Sequence, residues 1–568
     1  MADMISDDIT KTDTHAKALK IVEVLVLLLP LAFYIWNIFS HFWLLPCHRD
    51  TVEYLVPAIF GTSWGGYWPW LDRLTLAIGL RIFVLLMPQN TASVGQAFML
   101  FINTAIFLSA LIWLYRKYGF IAGLFIGVFF NVSYLMLLYG SIVYPDQLVS
   151  LFALLSFIVF FGNNETKRFY RPMLFAGILT AGVIFSKAIG VFILLYYAGY
   201  LLYYRRWRAI LEFSLGIVIG GGLLLGLYAI LYNPQSMIYT IKQFFVSNLA
   251  VNLEVLNKYY ISYLNIVLDM LYFPFLALLI AIGAYRKPII RHLFFIAWAN
   301  ILFMYLFAAF AGAGNGPHAR YIYTSFLFTI IGLSIYFAEI YYAKQPQENK
   351  LWKITVSVVL GIAVMVIIFI SLNMGFTYNP ALYTPTKFPT YVKWLYVLGP
   401  FLLVSLLVLN ELLHSKKLIL LFLFVIALWN PAYNGGWAYD YELQLVSYCQ
   451  SMFRAASALE QVQADQFGVY VNSFKEIEYP ERILWVYKYF VDTKYPKENG
   501  YDALYRFNQH MDQSILYIPG EGKWKDAPGQ VLVTDQVQAV MRLYPDAKII
   551  QEIPYGKDTL SVLALHPK

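Results

Sequence analysis

The most regular feature of the sequence is a succession of long apolar segments separated by short polar loops. A helix needs roughly 20 mostly apolar residues to cross a bilayer. The pattern predicts thirteen such spans, at about 18–41, 96–115, 120–139, 147–162, 172–186, 189–204, 209–232, 263–284, 293–311, 321–342, 354–374, 394–412 and 418–432. No small-residue cleavage site follows the first segment, so we interpret it as an anchor rather than a removed signal peptide.

The pattern changes after residue 432 and predicts a separate, soluble α/β domain. Short alternating or apolar runs indicate strands, and helical spacing indicates two helices. The predicted strands are Phe467–Asn472, Ser514–Pro519, Gln530–Thr534, Ile549–Ile553 and Leu560–Leu565, and the predicted helices are 448–463 and Val537–Leu543. The expected fold is therefore mainly α: a tail at 1–17, a polytopic membrane domain at 18–432 with a long loop at 42–95, and a small α/β domain at 433–568.

The distribution of charge gives the direction of the spans. Only 13% of the 568 residues are charged, against roughly 25% in soluble domains, which excludes an ordinary soluble enzyme. Of the net charge of +8, residues 1–430 carry +12 and residues 431–568 carry −4. With the N-terminus in the cytoplasm, inner loops hold 16 Lys and Arg and outer loops 9, as the positive-inside rule expects.

This topology explains the basic excess without an anionic partner. The chain has no run of five basic residues, so we predict no nucleic-acid partner. The same orientation predicts a multi-pass membrane protein in which the loop at 42–95 and the domain at 433–568 lie on the outer side.

Charged residues at membrane depth are costly, so those that topology leaves unexplained are candidate functional residues. Asp50 and Glu53 follow the first span, where a carboxylate could act as a general base. Their spacing also fits a helix start, with Asp50 as the N-cap and Glu53 at N3. Asp146 follows Pro145 at the predicted outer start of the fourth span, a pair that also suits an ordinary first helical turn.

The remaining candidates are basic residues and their neighbours, also on the predicted outer side. Lys187 lies at the break between the fifth and sixth spans, where it could contact a phosphate as a point charge or simply snorkel to the interface. His318 and Arg320 end a glycine-rich loop, and the planar guanidinium suits phosphate oxygens; a surface loop with a snorkelling Arg320 is the alternative. Cys47 and Cys449 are both predicted outside, where a disulfide could form.

Taken in order, these motifs resemble the GT-C superfamily of integral-membrane glycosyltransferases. Within it, the chain is most similar to the bacterial aminoarabinose (ArnT-like) transferases and the protein O-mannosyltransferase-like enzymes. The similarity rests on the acids of a long first outer loop, the C-terminal outer domain, and the sequences Tyr144-Pro145-Asp146, Lys187-Ala188-Ile189-Gly190 and His318-Ala319-Arg320-Tyr321. Many members have adjacent Asp-Glu in the first loop, so the departure to Asp50-Thr51-Val52-Glu53 leaves open which acid is catalytic.

The resemblance implies a polyprenyl-phosphate-linked sugar as donor and an inverting transfer on the outer face. The acceptor would be a lipid such as lipid A, another glycan or a protein. Asp50 would be the general base, assisted by Glu53 or Asp146. The leaving phosphate would be bound by Lys187, His318, Arg320 and Tyr321, which stabilise developing negative charge.

We expect that no cofactor is required. The acids could bind a divalent metal ion, but the sequence shows no recognisable set of metal ligands. The competing interpretation is a transporter or flippase of a lipid-linked or anionic substrate. That class predicts charges near the bilayer midplane and repeated sets of spans. The sequence shows neither feature.

Overall fold

The computed structural model of the chain contains a bundle of helices followed by a small mixed sheet. It describes residues 2–41, 49–62, 73–87, 94–133, 136–137, 140, 142–162, 171–232, 284, 287–310, 323–342, 450–464, 467–471, 484, 509, 531–555 and 558–565.

The described part of the bundle is built from eleven helices. In chain order they are α1 (Ala2–His41), α2 (Arg49–Phe60), α3 (Leu74–Leu86), α4 (Val94–Tyr118), α5 (Phe120–Val132), α6 (Pro145–Gly162), α7 (Pro172–Ile184), α8 (Val191–Tyr203), α9 (Trp207–Leu231), α10 (Pro288–Phe310) and α11 (Tyr323–Tyr342). A single 3₁₀ turn, Ala188–Gly190, joins α7 to α8.

Among the described residues, five helices are long and apolar enough to cross a membrane: α4, α6, α9, α11 and the Ala18–Phe39 part of α1. Five shorter apolar helices accompany them, in α3, α5, α7, α8 and α10. Nine predicted spans thus coincide with described helices. The spans predicted at 354–374, 394–412 and 418–432, and all but the last residue of 263–284, lie outside the described residues. The total of thirteen therefore stays a prediction.

One predicted span is shorter than expected. The apolar run at 120–139 contains α5, which ends at Val132 with Ser133 as its C-cap. The backbone N–H of Ser133 still donates to Phe129 O at 3.0 Å.

The crossing of α7 and α9 shows why glycines lie inside these apolar helices. A Cβ added to Gly177 would lie 2.1 Å from Phe213 O, and one added to Gly216 would lie 2.1 Å from Leu174 O. The two backbones are therefore in direct contact, as small residues permit in membrane helices. This contact fixes the path of α7, whose C-terminal end leads to Lys187.

The C-terminal region forms a four-stranded sheet of β1 (Phe467–Tyr470), β2 (Val531–Thr534), β3 (Lys548–Tyr555) and β4 (Asp558–Ala564). The strand order is β1-β2-β4-β3, with β1 parallel to β2 and the other pairs antiparallel. The described helices α12 (450–461) and α13 (Val537–Leu543) accompany it. Buried Leu532 and Leu563 pack against Val540 of α13.

The α/β character and most element positions predicted for this region are confirmed. The predicted strand at Ser514–Pro519 lies outside the described residues. The hydroxyl of Ser451 on α12 donates to Pro554 O on β3, which ties the first helix of the region to its sheet.

Candidate functional site

The structure brings two of the predicted site residues, Asp146 and Lys187, into one ion pair. Lys187 Nζ donates to Asp146 Oδ1 at 2.8 Å across 41 positions of sequence. The side chains are only 13% and 6% exposed for the lysine and the aspartate. Lys187 is therefore not a lysine that snorkels to the interface, because its ammonium group is held by an internal carboxylate. The second oxygen, Asp146 Oδ2, is buried and has no hydrogen-bond partner within the described structure.

The turn that carries Lys187 is stabilised by local hydrogen bonds to backbone carbonyl groups. Helix α7 ends at Ile184, and the hydroxyl of Ser186 donates back to Gly182 O at 2.6 Å. The N–H of Gly190 donates to Lys187 O at 2.8 Å. A Cβ at Gly190 would lie 2.6 Å from Val183 O, so glycine is needed for the turn to fold back on α7.

The first turn of α3 docks on this Lys187 turn. The N–H of Thr75 donates to Phe185 O at 3.2 Å, and the hydroxyls of Thr75 and Ser186 are hydrogen-bonded at 2.7 Å. Further along α3, Tyr232 at the end of α9 donates its hydroxyl to Ala77 O at 2.8 Å. Helix α3 is therefore fixed both to the Lys187 turn and to the C-terminal end of α9.

Two buried arginines join α3 to α2. Arg81 Nη1 donates to Ala58 O at 3.0 Å and to Ile59 O at 2.8 Å, which satisfies carbonyls at the C-terminal end of α2. Arg73 donates to the hydroxyl of Tyr54, with its guanidinium 5.2 Å from the centre of the tyrosine ring.

The residue that follows α2 makes room for Arg81. Gly61 has φ +64°, and a Cβ there would lie 2.6 Å from Arg81 Nη2. Glycine is favoured at this position both by its left-handed backbone and by the guanidinium packed against it.

The predicted acids Asp50 and Glu53 lie on α2, whose backbone the structure describes at these positions. The helix begins at Arg49, so Asp50 is its second residue rather than its N-cap. The expected helix start is thus found, but its first residue is Arg49 rather than Thr51, two residues earlier than expected. Asp50 is four positions before Tyr54, and positions four apart share a face of a helix. The Asp50 position is therefore on the face from which Tyr54 contacts Arg73 of α3.

The start of α11 is fixed beside the start of α6. The hydroxyls of Thr324 and Ser150 are hydrogen-bonded at 2.8 Å, and Ser150 lies one turn after Asp146, whose carbonyl it also contacts at 2.9 Å. Tyr323 donates to Asn103 Oδ1 at 2.6 Å, and Asn103 Nδ2 donates to Gly140 O at 3.3 Å.

The predicted phosphate-binding residues His318, Arg320 and Tyr321 lie outside the described residues. In the sequence they lie just before α11, with Ile322 between them and its first residue, Tyr323.

The described residues include no group of three or more His, Cys, Asp or Glu side chains placed to hold a metal ion. The side chains of Asp50 and Glu53 are not among those described, so the metal stays an open question. Cys47 and Cys449 also lie outside the described residues.

The sequence did not reveal the contacts that join α3 to α2 and to the Lys187 turn. Arg73, Arg81 and Thr75 all belong to α3 or its N-cap, and all are buried. The one available signal was Arg81, a lone cation in the otherwise apolar helix Leu74–Leu86. Such a residue usually has a buried partner.

Comparison with known proteins gives a likeness of fold. No protein-family model matches the chain, and no curated protein matches it. The crystal structure of ArnT from Cupriavidus metallidurans in the apo state matches with a TM-score of 0.51 and 11% identity, over 97% of this chain and 100% of that one. The crystal structure of the same protein bound to undecaprenyl phosphate matches with a TM-score of 0.52 and 12% identity, over 97% and 99%. The chain has an ArnT-like fold.

The ArnT-like fold extends over the membrane helices and the C-terminal α/β region together, because the match covers almost the whole of both chains. This confirms the fold that the order of the motifs predicted. The roles of the individual residues and the substrates are matters of proposal.

Proposed function

We propose that the chain is a membrane glycosyltransferase of the GT-C type. It moves a sugar from a polyprenyl-phosphate-linked donor to a lipid, glycan or protein acceptor on the outer face of the inner membrane. The observation that carries the proposal is the ArnT-like fold along 97% of the chain, matched to a protein solved with undecaprenyl phosphate. The buried Asp146–Lys187 pair supports it, because such a costly pair is typical of a functional site.

The donor phosphate is proposed to bind at Lys187, with His318, Arg320 and Tyr321 approaching from the start of α11. Asp146 holds the ammonium group of Lys187 in place. When the bond between the anomeric carbon and the phosphate oxygen breaks, negative charge grows on the leaving phosphate. Lys187 and Arg320 stabilise that charge, which is the form of electrostatic stabilisation that most lowers such a barrier.

The acceptor is proposed to be activated by Asp50. Its carboxylate takes the proton of an acceptor hydroxyl or amine, whose oxygen or nitrogen forms a bond to the anomeric carbon as the phosphate leaves. Direct displacement inverts the configuration at that carbon. Glu53 is the assisting acid, and Asp146 is less suited to the role of base because Lys187 already engages it. The reaction as proposed requires no cofactor. If a divalent metal ion takes part, Asp50 and Glu53 are the acids proposed to bind it.

The proposed orientation places the Lys187 turn and the C-terminal region outside and the N-terminus in the cytoplasm. The described helices support it by where their basic residues lie. Arg116 and Lys117 are in the last turn of α4, and Arg171, Arg205 and Arg206 flank the ends of α7 and α8 remote from Lys187. A cytoplasmic location of these ends agrees with the positive-inside rule.

The test is sugar transfer by the purified chain in liposomes, supplied with synthetic polyprenyl-phosphate sugars and an extract of envelope acceptors. Asp50→Asn should lower transfer at least about 100-fold, the usual contribution of a general base, at unchanged protein abundance. Glu212→Gln, which alters the i,i+4 pair of Glu212 with Arg208, is the matched control and should keep full activity.

Three outcomes would contradict parts of the proposal. Normal transfer by Asp50→Asn would remove Asp50 from the role of base. If the wild-type chain transferred no sugar from any donor tested, the proposed glycosyltransferase activity would be ruled out. Movement of the intact donor across the vesicle membrane, without transfer, would favour the transporter.

A further inference from the structure

The acids and the phosphate-binding residues of the proposed site lie on different segments that have to be held in register. Asp50 and Glu53 are on α2, whereas Lys187 is on the turn between α7 and α8. We propose that the first turn of α3 is the positioning element between them, with Arg73 and Thr75 as positioning residues. Thr75 sets the Lys187 turn, and Arg73 sets the acid-bearing face of α2. The inference rests on the proposed function and extends it to residues that touch neither donor nor acceptor.

Thr75 contacts the Lys187 turn at two points. Its N–H and its hydroxyl reach Phe185 O and Ser186 Oγ at 3.2 and 2.7 Å. Both partners directly precede Lys187 in the chain. Ser186 is fully buried, and Thr75 is 6% exposed. A buried hydroxyl pair of this kind holds α3 and the Lys187 turn together, because separating the two hydroxyls would leave buried polar groups without a hydrogen bond.

Arg73, at the start of the same turn, contacts α2. It is the N-cap of α3, two positions before Thr75, and is 9% exposed. Its guanidinium both donates to the Tyr54 hydroxyl and lies on the Tyr54 ring. Tyr54 is one helical turn after Asp50, so a shift of this contact moves the Asp50 position with it.

The rest of α3 makes the connection stiff. The apolar side chains Leu74, Leu76, Ala77 and Leu80 are buried, which anchors the helix in the bundle. Arg81 fastens its far half to the C-terminal end of α2. Helices α2 and α3 are therefore joined near both ends of α3, and the first turn of α3 contacts the segment that carries Lys187.

The first arm of the test concerns Thr75 and the donor. Thr75→Val keeps the shape and removes the hydroxyl, so it should raise the KM for the polyprenyl-phosphate sugar roughly three- to tenfold, the effect of one net hydrogen bond. The kcat should change less than about twofold. Thr75→Ser, which keeps the hydroxyl, should restore the KM. Thr180→Val is the control, because the buried hydroxyl of Thr180 donates to Ala176 O of its own helix at 2.8 Å.

The second arm concerns Tyr54 and the acceptor. Tyr54→Phe removes the hydroxyl that Arg73 contacts and should lower kcat roughly three- to tenfold, with the donor KM unchanged. Tyr197→Phe is the control. Tyr197 is fully buried and hydrogen-bonds Ser156 of α6 at 3.1 Å.

The split between KM and kcat decides the inference, with thermal unfolding measured for every variant. A purely structural role predicts that each variant and its control lose stability and activity alike, and that result would overturn the proposal. So would a donor KM that is the same for Thr75→Val and the wild type. A wild-type chain that transfers no sugar would overturn the proposed function itself, whereas normal wild-type transfer with unaffected Thr75 and Tyr54 variants would overturn the positioning role alone.

Discussion

Two ion pairs at opposite ends of the bundle have the same length and very different surroundings. Lys187–Asp146 and Lys287–Glu339 are both 2.8 Å long. The side chains of the first pair are 13% and 6% exposed, and those of the second are 52% and 20% exposed. We name the two regions after their lysines: the Lys187 end, with the starts of α6 and α11 and the α7–α8 turn, and the Lys287 end, with the start of α10, the end of α11 and the α8–α9 turn.

The same contrast holds for the arginines. Arg73 and Arg81, next to the Lys187 end, are buried against hydrogen-bond acceptors of α2. Arg205 and Arg206 at the Lys287 end are exposed. Charges that only mark topology can remain in water or among lipid headgroups at little cost. Charges taken out of water need partners, because burying them costs desolvation free energy. Buried charges are therefore candidates for a functional role. Burial thus distinguishes the end proposed to be functional from the Lys287 end more clearly than the number of charges does.

The largest effect should come from removing one lysine at each end. Lys187→Met should destabilise the protein by about 3–5 kcal/mol, because it leaves the Asp146 carboxylate buried without its cation. Lys287→Met should cost less than about 1 kcal/mol. Thermal unfolding in detergent measures both, and binding of undecaprenyl phosphate should be lost only in Lys187→Met.

A double variant guards this comparison against simple misfolding. Lys187→Met combined with Asp146→Leu removes both charges and should regain most of the lost stability, while sugar transfer stays absent. If the double variant were as unstable as Lys187→Met alone, the buried pair would not be the source of the instability.

An intermediate effect is expected where a tyrosine hydroxyl joins two helices at each end. Tyr323→Phe removes the donor to Asn103 Oδ1 and should cost about 1–3 kcal/mol, because a buried polar partner is deleted. It should also raise the KM for the donor, since Tyr323 lies three positions after Arg320 in the chain. Tyr196→Phe removes the 2.7 Å contact with His292 Nδ1 at the Lys287 end. An increase in donor KM in Tyr196→Phe equal to that in Tyr323→Phe would erase the distinction between the ends.

The smallest effect belongs to the surface of the Lys287 end. Arg208 pairs with Glu212 four positions later at 3.2 Å, and its side chain is 90% exposed. Arg208→Ala should change stability by less than about 0.5 kcal/mol and leave sugar transfer at the wild-type rate. A clear loss of activity in this variant would show that the Lys287 end also takes part in function.

The sequence located elements well where a repeating pattern defines them. The helix at Val537–Leu543 has the predicted bounds, and the β2 strand Val531–Thr534 differs from the prediction by one residue. The break between the predicted spans 172–186 and 189–204 also coincides with the turn that carries Lys187. Apolar runs, alternation and Gly–Pro boundaries are local properties, so they can be found without the fold.

The contacts that make the site were not predictable in the same way. The chain shows that Asp146 and Lys187 are unusual, but it does not show that they pair across 41 positions. The Thr75–Ser186 contact spans 111 positions and involves two residue types that are common in loops. Such pairings depend on how helices pack, and the order of strands in the sheet depends on tertiary structure too. His318, Arg320 and Tyr321 stay predictions, as do the side-chain roles of Asp50 and Glu53.

The lengths of α7 and α8 set the depth of the Lys187 turn. Each helix has 13 residues and is about 20 Å long at 1.5 Å per residue, against a hydrocarbon layer of about 30 Å. In the proposed orientation, with Arg171 and Arg206 at the inner boundary, the turn would lie about 10 Å short of the outer one. A sugar held beside Lys187 would therefore sit below the headgroup layer, where water competes poorly for the anomeric carbon, so transfer is favoured over hydrolysis.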